Sequence, residues 1–169
     1  PLTCTWPPVF YTSYGYENFK NWLKEGKFEN ITIKPNQYLM RLLTKKSLMN
    51  LLHPFQTFII GQKNIAPRLA AKLNIKLIFY GESESLYGND RRSYFKPTMD
   101  KKYFSKTTDN IILGGEKVSN ILKDKKVKIE DLEYFFPIDQ DEIIKKGIEY
   151  YYFGFYKKWN PQEVYYYAS

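Results

Sequence analysis

Gly81, Glu82 and Glu84 follow directly on the apolar run Leu77–Tyr80 in the stretch KLIFYGESESLYGN, Lys76 to Asn89. A glycine after a buried strand lets a ligand approach the backbone. Carboxylates beside it suit an oxygen-coordinated cation or a polar substrate. In open α/β sheets, ligands bind beyond the carboxyl ends of the strands, so this boundary is the first candidate site. A solvated loop after a buried strand is the plain alternative.

The stretch HPFQTFIIGQK supplies His53, Gln56, Gln62 and Lys63. His53 is the single histidine, which rules out a site of several imidazoles. One imidazole near neutral pH serves as a base or a hydrogen-bond donor, and equally as a cap at a helix end. The loop PPVFYTSYGYEN offers Tyr11, Thr12 and Asn18 beyond the end of another strand. Arg91–Arg92 is suited to phosphate or carboxylate, although a bare dipeptide reads equally as a solvated pair. The aromatic runs YYYFGFY and VYYYA read as packing surface, since no nucleic-acid motif accompanies their π faces. The sequence holds no Walker A loop, G-x-G-x-x-G, G-x-S-x-G or H-E-x-x-H.

These residues need a frame. Leu2–Trp6 alternates as a strand and Pro7–Pro8 ends it. Phe19, Trp22 and Leu23 fall at i, i+3, i+4 in a helix closed by Gly26. Asn30–Lys34 reads as a strand ended by Pro35, and 37–52 as a helix that His53–Pro54 interrupts. A second helix carries Pro67 inside it and ends at Asn74. The strand Lys76–Tyr80 follows, and its unbroken apolar run predicts cover on both faces. Strand, helix, strand, helix pair, strand predicts an α/β domain with a mostly parallel sheet.

Residues 1–89 thus form the β/α part of one domain, 90–128 a variable insertion or long loop with short helices, and 129–169 a helix–strand–helix part. In the last, Asp139 caps a helix closed by Gly147, and IEYYYFGFY reads as a strand. Asn160–Pro161 opens a final helix. The opening Pro1–Trp6 and the closing EVYYYAS both read as cuts through a larger domain.

The 169 residues are 43% hydrophobic and 18% aromatic, enough apolar content for a real core. Lys+Arg 26 against Asp+Glu 18 gives +8, which favours anionic partners such as nucleotides and nucleotide sugars. Cys4 stands alone, so no intrachain disulfide forms, and a reducing cytoplasmic setting fits. No apolar run reaches the roughly 18 residues of a membrane span.

TWPPVFYTSYGYENFKNWLKEGKFENITIKPN, NLLHPFQTFIIGQKNIAPRLAAKLNIKLIFYGESESLYGN and GFYKKWNPQEVYYYAS together resemble the N-acetyl sugar amidotransferase family of pseudaminic acid and O-antigen biosynthesis. The resemblance covers Thr3–Asn89 and about Tyr150 onward. It implies a PP-loop ATP pyrophosphatase fold, with an adenine-nucleotide α-hydrolase-like sheet incomplete at both ends. It also implies that ATP activates the oxygen of a sugar N-acetyl group. Ammonia from a glutaminase partner then leaves an acetamidino group in a pseudaminic or legionaminic type sugar, or in O-antigen. The implied cofactors are ATP and Mg²⁺; the metal ligands stay unassigned.

On the same resemblance, Glu82 and His53 are the catalytic candidates. Thr5, Trp6, Gly81 and Glu82 face the nucleotide. Tyr11, Thr12, Gln56, Gln62, Glu84, Tyr87 and Asn89 face the nucleotide sugar or sialic-acid-like substrate. The family's S-G-G-x-D-S loop belongs on a strand before Leu2 and is not in these residues, so the isolated chain is expected not to hydrolyse ATP. Leu86 stands where the family pattern has a glutamate. A non-catalytic binding module, or a tRNA-modifying relative, is the second reading. Membrane and nucleic acid are not among the expected partners.

Overall fold

The computed structural model describes residues 1–6, 12–81, 97–98, 111–158 and 160–168. β1 (Leu2–Thr5) leads to α1 (Ser13–Gly26) and β2 (Glu29–Thr32). The hairpin α2 (Gln37–Leu51) and α3 (Gln56–Leu73) precedes β3 (Leu77–Tyr80). A two-residue hairpin, β4 (Ile112–Leu113) and β5 (Glu116–Lys117), opens the second half, followed by α4 (Val118–Ile121) and a 3₁₀ helix, Ile129–Phe135. α5 (Gln140–Lys145), β6 (Glu149–Tyr152), α6 (Phe153–Tyr156) and α7 (Pro161–Ala168) complete the order.

Local chemistry sets most of these bounds. The Thr12 hydroxyl accepts from the Gly15 amide and caps α1, and Asn36 caps α2 through the Tyr38 and Leu39 amides. Asp139 caps α5 through the Asp141 amide, and Asn160 caps α7 through that of Gln162. Lys27, Leu52 and Asn74 end α1, α2 and α3 in the left-handed region, the last as its sequence predicts. The strand expected over IEYYYFGFY stops at Tyr152, and Phe153–Tyr156 turns helical.

Pro67 lies inside α3 and has no N–H for the Lys63 carbonyl four residues earlier. The Tyr80 hydroxyl donates to that carbonyl at 2.8 Å. The helix therefore carries the proline without an orphaned acceptor, and the carboxyl end of β3 is tied to the middle of α3.

α3 divides two cores. On one side Trp6, Leu39, Met40, Leu43, Ile65, Leu113, Leu132 and Phe135 pack together. Trp6 meets Phe135 edge-on with ring centroids 5.4 Å apart. On the other side Ala70, Ala71, Ile78, Ile138, Ile143, Ile148, Tyr150 and Tyr152 form the second cluster. Gly61 permits the close approach of α3 to β1, because a Cβ there would lie 2.5 Å from the Trp6 ring.

The described strands form separate pairs. β1 runs parallel to β2 in the register Leu2↔Glu29 to Thr5↔Thr32, and β3 runs parallel to β6 from Leu77↔Glu149 to Tyr80↔Tyr152. β4 and β5 pair antiparallel through Gly114–Gly115. The mixed α/β class and the parallel pairing agree with the sequence. The double cover expected for Leu77–Tyr80 does not: Ile78 is buried against the α3 side, while Leu77 and Phe79 are 50% and 52% exposed. Among the described residues the opposite face carries only the short α6, whose Phe153 and Tyr156 rings meet Phe79 edge-on at 6.3 and 6.2 Å and leave it half exposed.

Candidate functional site

β1 runs parallel to β2, and β3 to β6, as two separate pairs. Trp6, at the carboxyl end of β1, packs on Gly61 in the first half of α3. Tyr80, at the carboxyl end of β3, bonds to Lys63, two residues from Gly61. The carboxyl ends of β1 and β3 therefore meet the same part of α3, and strand carboxyl ends are where α/β folds bind ligands. The boundary between β1 and β3 is the candidate site.

A cavity of about 920 Å³ lies at that boundary. Thr5, Trp6, Gln62, Lys63, Gly81 and Tyr152 line its carboxyl-end rim. The rest of its wall is mainly apolar, with Phe19 and Trp22 of α1 and Ile59 and Leu69 of α3. A mostly apolar hollow with a few converging polar groups is the usual form of a small-molecule site.

Two features of the rim bear on what it could take. The Trp6 indole is 4% exposed, and its Nε1–H has no partner among the described residues. A buried donor left unmade costs about 1–3 kcal/mol, so an acceptor brought by a ligand would recover that energy. At Gly81, an added Cβ would meet nothing within 4 Å. The backbone there is open to close approach.

The structure brings Thr5, Trp6, Gln62 and Gly81 to one cavity. Thr5 is also committed locally. Its Oγ1 lies 3.2 Å from Thr32 Oγ1 and accepts from Asn30 Nδ2 at 3.2 Å. His53 sits elsewhere, exposed in the turn between α2 and α3, where its Nδ1 accepts from the Phe55 amide at 3.3 Å. Gln56 faces the β4–β5 hairpin, and its Oε1 accepts from the Gly114 amide at 3.0 Å. Thr12 caps α1 and does not line the cavity. Tyr11, Glu82, Glu84, Tyr87 and Asn89 lie outside the described residues, as do Arg91 and Arg92.

Sequence reasoning did not reach Tyr152, which arrives on β6 from 71 residues beyond Gly81 in the chain. Its only sequence signal is the aromatic run on a strand that pairs with β3. Burial pushes the Cys4 thiol up from its ordinary value. Cys4 is thus a protonated, apolar wall residue of the cavity and not a nucleophile.

The rim joins apolar walls, the buried Trp6 indole and the open backbone at Gly81. Among the described residues no three His, Cys, Asp or Glu side chains gather to hold a metal ion, so no step is assigned to a cation here. No described helix is long and apolar enough to cross a membrane. No family model matches the chain, and no curated protein matches it.

Proposed function

We propose that this chain is the nucleotide- and sugar-facing part of a cytoplasmic ATP-dependent amidotransferase that converts a sugar N-acetyl group into an acetamidino group. The observation that carries this reading is the convergence of Thr5, Trp6, Gln62 and Gly81 on the cavity between β1 and β3. The family resemblance supplies the reaction.

The chemistry asks for such a crevice. An amide oxygen is a poor leaving group. Its attack on the α-phosphorus of ATP expels pyrophosphate and turns that oxygen into part of an adenylate. Ammonia then adds to the former amide carbon, AMP leaves with the oxygen, and a C–N bond replaces a C–O bond. The enzyme must hold adenosine and the N-acetyl group side by side, away from water. Trp6 and the apolar wall serve the base and ribose. Gln62 and Tyr152 line the same cavity and would take the sugar. The sequence has no S-G-G-x-D-S, so the triphosphate and its Mg²⁺ need groups from beyond these residues. A glutaminase subunit supplies the ammonia.

The test uses the natural polypeptide with its flanking sequence, supplied with ATP, ammonia and an N-acetylated nucleotide sugar. Pyrophosphate release that depends on the sugar is the expected result. Gly81→Val, which projects into open space and leaves the fold intact, should lower kcat/KM by about tenfold or more. Sugar-independent hydrolysis, or a Gly81→Val rate equal to that of the parent, would refute the assignment.

A further inference from the structure

The excess positive charge of the chain is confined to one stretch. Residues 30–81 carry eight Lys and Arg and no Asp or Glu, which equals the whole-chain excess of +8. Part of that charge is met inside the fold. Lys46 pairs with Glu116 at 2.8 Å, and Arg68 and Lys72 pair with Glu133 at 3.3 and 4.0 Å. Arg41 and Lys45 of α2 are exposed, and no described carboxylate pairs with either. They stand four residues apart, where two like charges repel on a helix surface.

An apolar surface follows directly after them. Leu39, Met40 and Leu43 of α2 are buried in the core. Arg41, Lys45, Leu48 and Met49 recur at i, i+4, i+7 and i+8 and so share the opposite face. Leu52 stands at the end of that face and Phe55 in the turn beyond. Leu48, Met49, Leu52 and Phe55 are between 51% and 87% exposed. Leu52 is the most exposed of the four, and it takes φ 54°, a conformation that suits glycine or asparagine. A leucine there gains nothing inside the described fold.

We propose that this face of α2 docks an acidic amphipathic helix of another protein. The carboxylates of that helix meet Arg41 and Lys45, and its apolar side chains cover Leu48, Met49, Leu52 and Phe55.

Charge and shape choose the occupant. From Arg41 to Leu52 the face runs roughly 16 Å, or about three helical turns. Its charges lie at one end and its apolar groups at the other, which a helix laid along it matches turn by turn. A lipid surface is met instead by basic groups placed around an apolar tip. A second copy docked about a two-fold axis would present the same face, and α2 has no carboxylate to offer. None of these residues lines the cavity between β1 and β3, so the surface is separate from the proposed nucleotide and sugar crevice.

A benzophenone side chain placed at Met49 of the full polypeptide, in the cell that makes it, tests the docking. Irradiation should attach one other protein, through a segment of amphipathic helical pattern and net negative charge. The affinity of the purified pair is then measured by titration. Arg41→Glu together with Lys45→Glu should raise Kd at least about tenfold, and lysines in place of the facing carboxylates of the partner should restore it. An unchanged Kd, or a loss that the reversed partner does not restore, would overturn the proposal. So would an absence of adducts, or attachment only to the same chain, a second copy, lipid, nucleic acid or a segment without net negative charge. Should the doubly reversed variant not fold, salt decides on the parent pair. Its Kd should rise at least about tenfold from about 50 to about 500 mM salt, and a Kd that ignores salt would sink the idea.

Discussion

The Tyr80 hydroxyl and the Lys63 carbonyl meet at 2.8 Å, at the one acceptor in α3 that Pro67 leaves without its helical donor. This contact joins the end of a strand to a helix defect, and the position of Gly81 depends on it. Tyr80→Phe should cost about 1 kcal/mol of stability. In a Pro67→Ala background the restored amide satisfies Lys63, so the same change should cost less. Urea denaturation of the four variants measures the coupling. A Tyr80→Phe cost that is identical in both backgrounds would show that the proline does not create the bond.

Gly61 is the second point where the helix and sheet layers are fixed. A methyl group there would overlap the Trp6 ring, which is already held edge-on by Phe135 and Tyr134. Gly61→Ala should destabilise by about 1–3 kcal/mol despite the better helix propensity of alanine. Thermal melts read the sign directly. A stabilised variant would mean that α3 stands further from β1 than described.

Gln56 separates a structural role from a substrate role. Its carbonyl oxygen holds the Gly114 amide, and Asn50 Nδ2 donates to the Gly114 carbonyl at 2.9 Å, so the β4–β5 turn is pinned to the α2–α3 corner from both sides. Gln56→Ala should speed exchange of the Gly114 amide and cost about 1 kcal/mol. The KM for sugar should not move. A raised KM with Gly114 still protected would return Gln56 to the substrate site.

Alkaline pH acts through Tyr150. This side chain is 1% exposed, and burial raises its phenol above the ordinary value of 10.0. A folded pKa above the unfolded one means stability that is complete below pH 10 and is lost as pH rises beyond it. The free energy of unfolding should therefore fall as pH rises above 10, and Tyr150→Phe should flatten the fall. Parallel slopes for the two proteins would exclude Tyr150 as the source.

Much of the frame was legible because its signals are local. Thr12, Asn36, Asp139 and Asn160 cap helices with their own side chains, and Asn74 takes the left-handed turn that ends α3. Gly81 stood out for the same reason, as a break in composition at a strand end. Gln56 and His53 misled because they are polar residues flanking an apolar helix, and that pattern does not distinguish a site from a corner. The place of Tyr152 was not legible at all, because it follows from β6 becoming the neighbour of β3. Leu77 and Phe79 show the reverse case: their apolar run predicts full cover, and α6 gives Phe79 only a partial one while both stay half exposed.

The margins of the strand pairs also bear on how the protein behaves in concentrated solution. Thr98 bridges Tyr151 of β6, and the Tyr152 amide donates to the Pro97 carbonyl, so that strand has a neighbour besides β3. β1 and β3 each have one named strand partner among the described residues, and half-exposed Leu77 lies on β3. A strand margin without a neighbour is a template for another chain, so edge-to-edge association is the hazard this architecture carries as concentration rises.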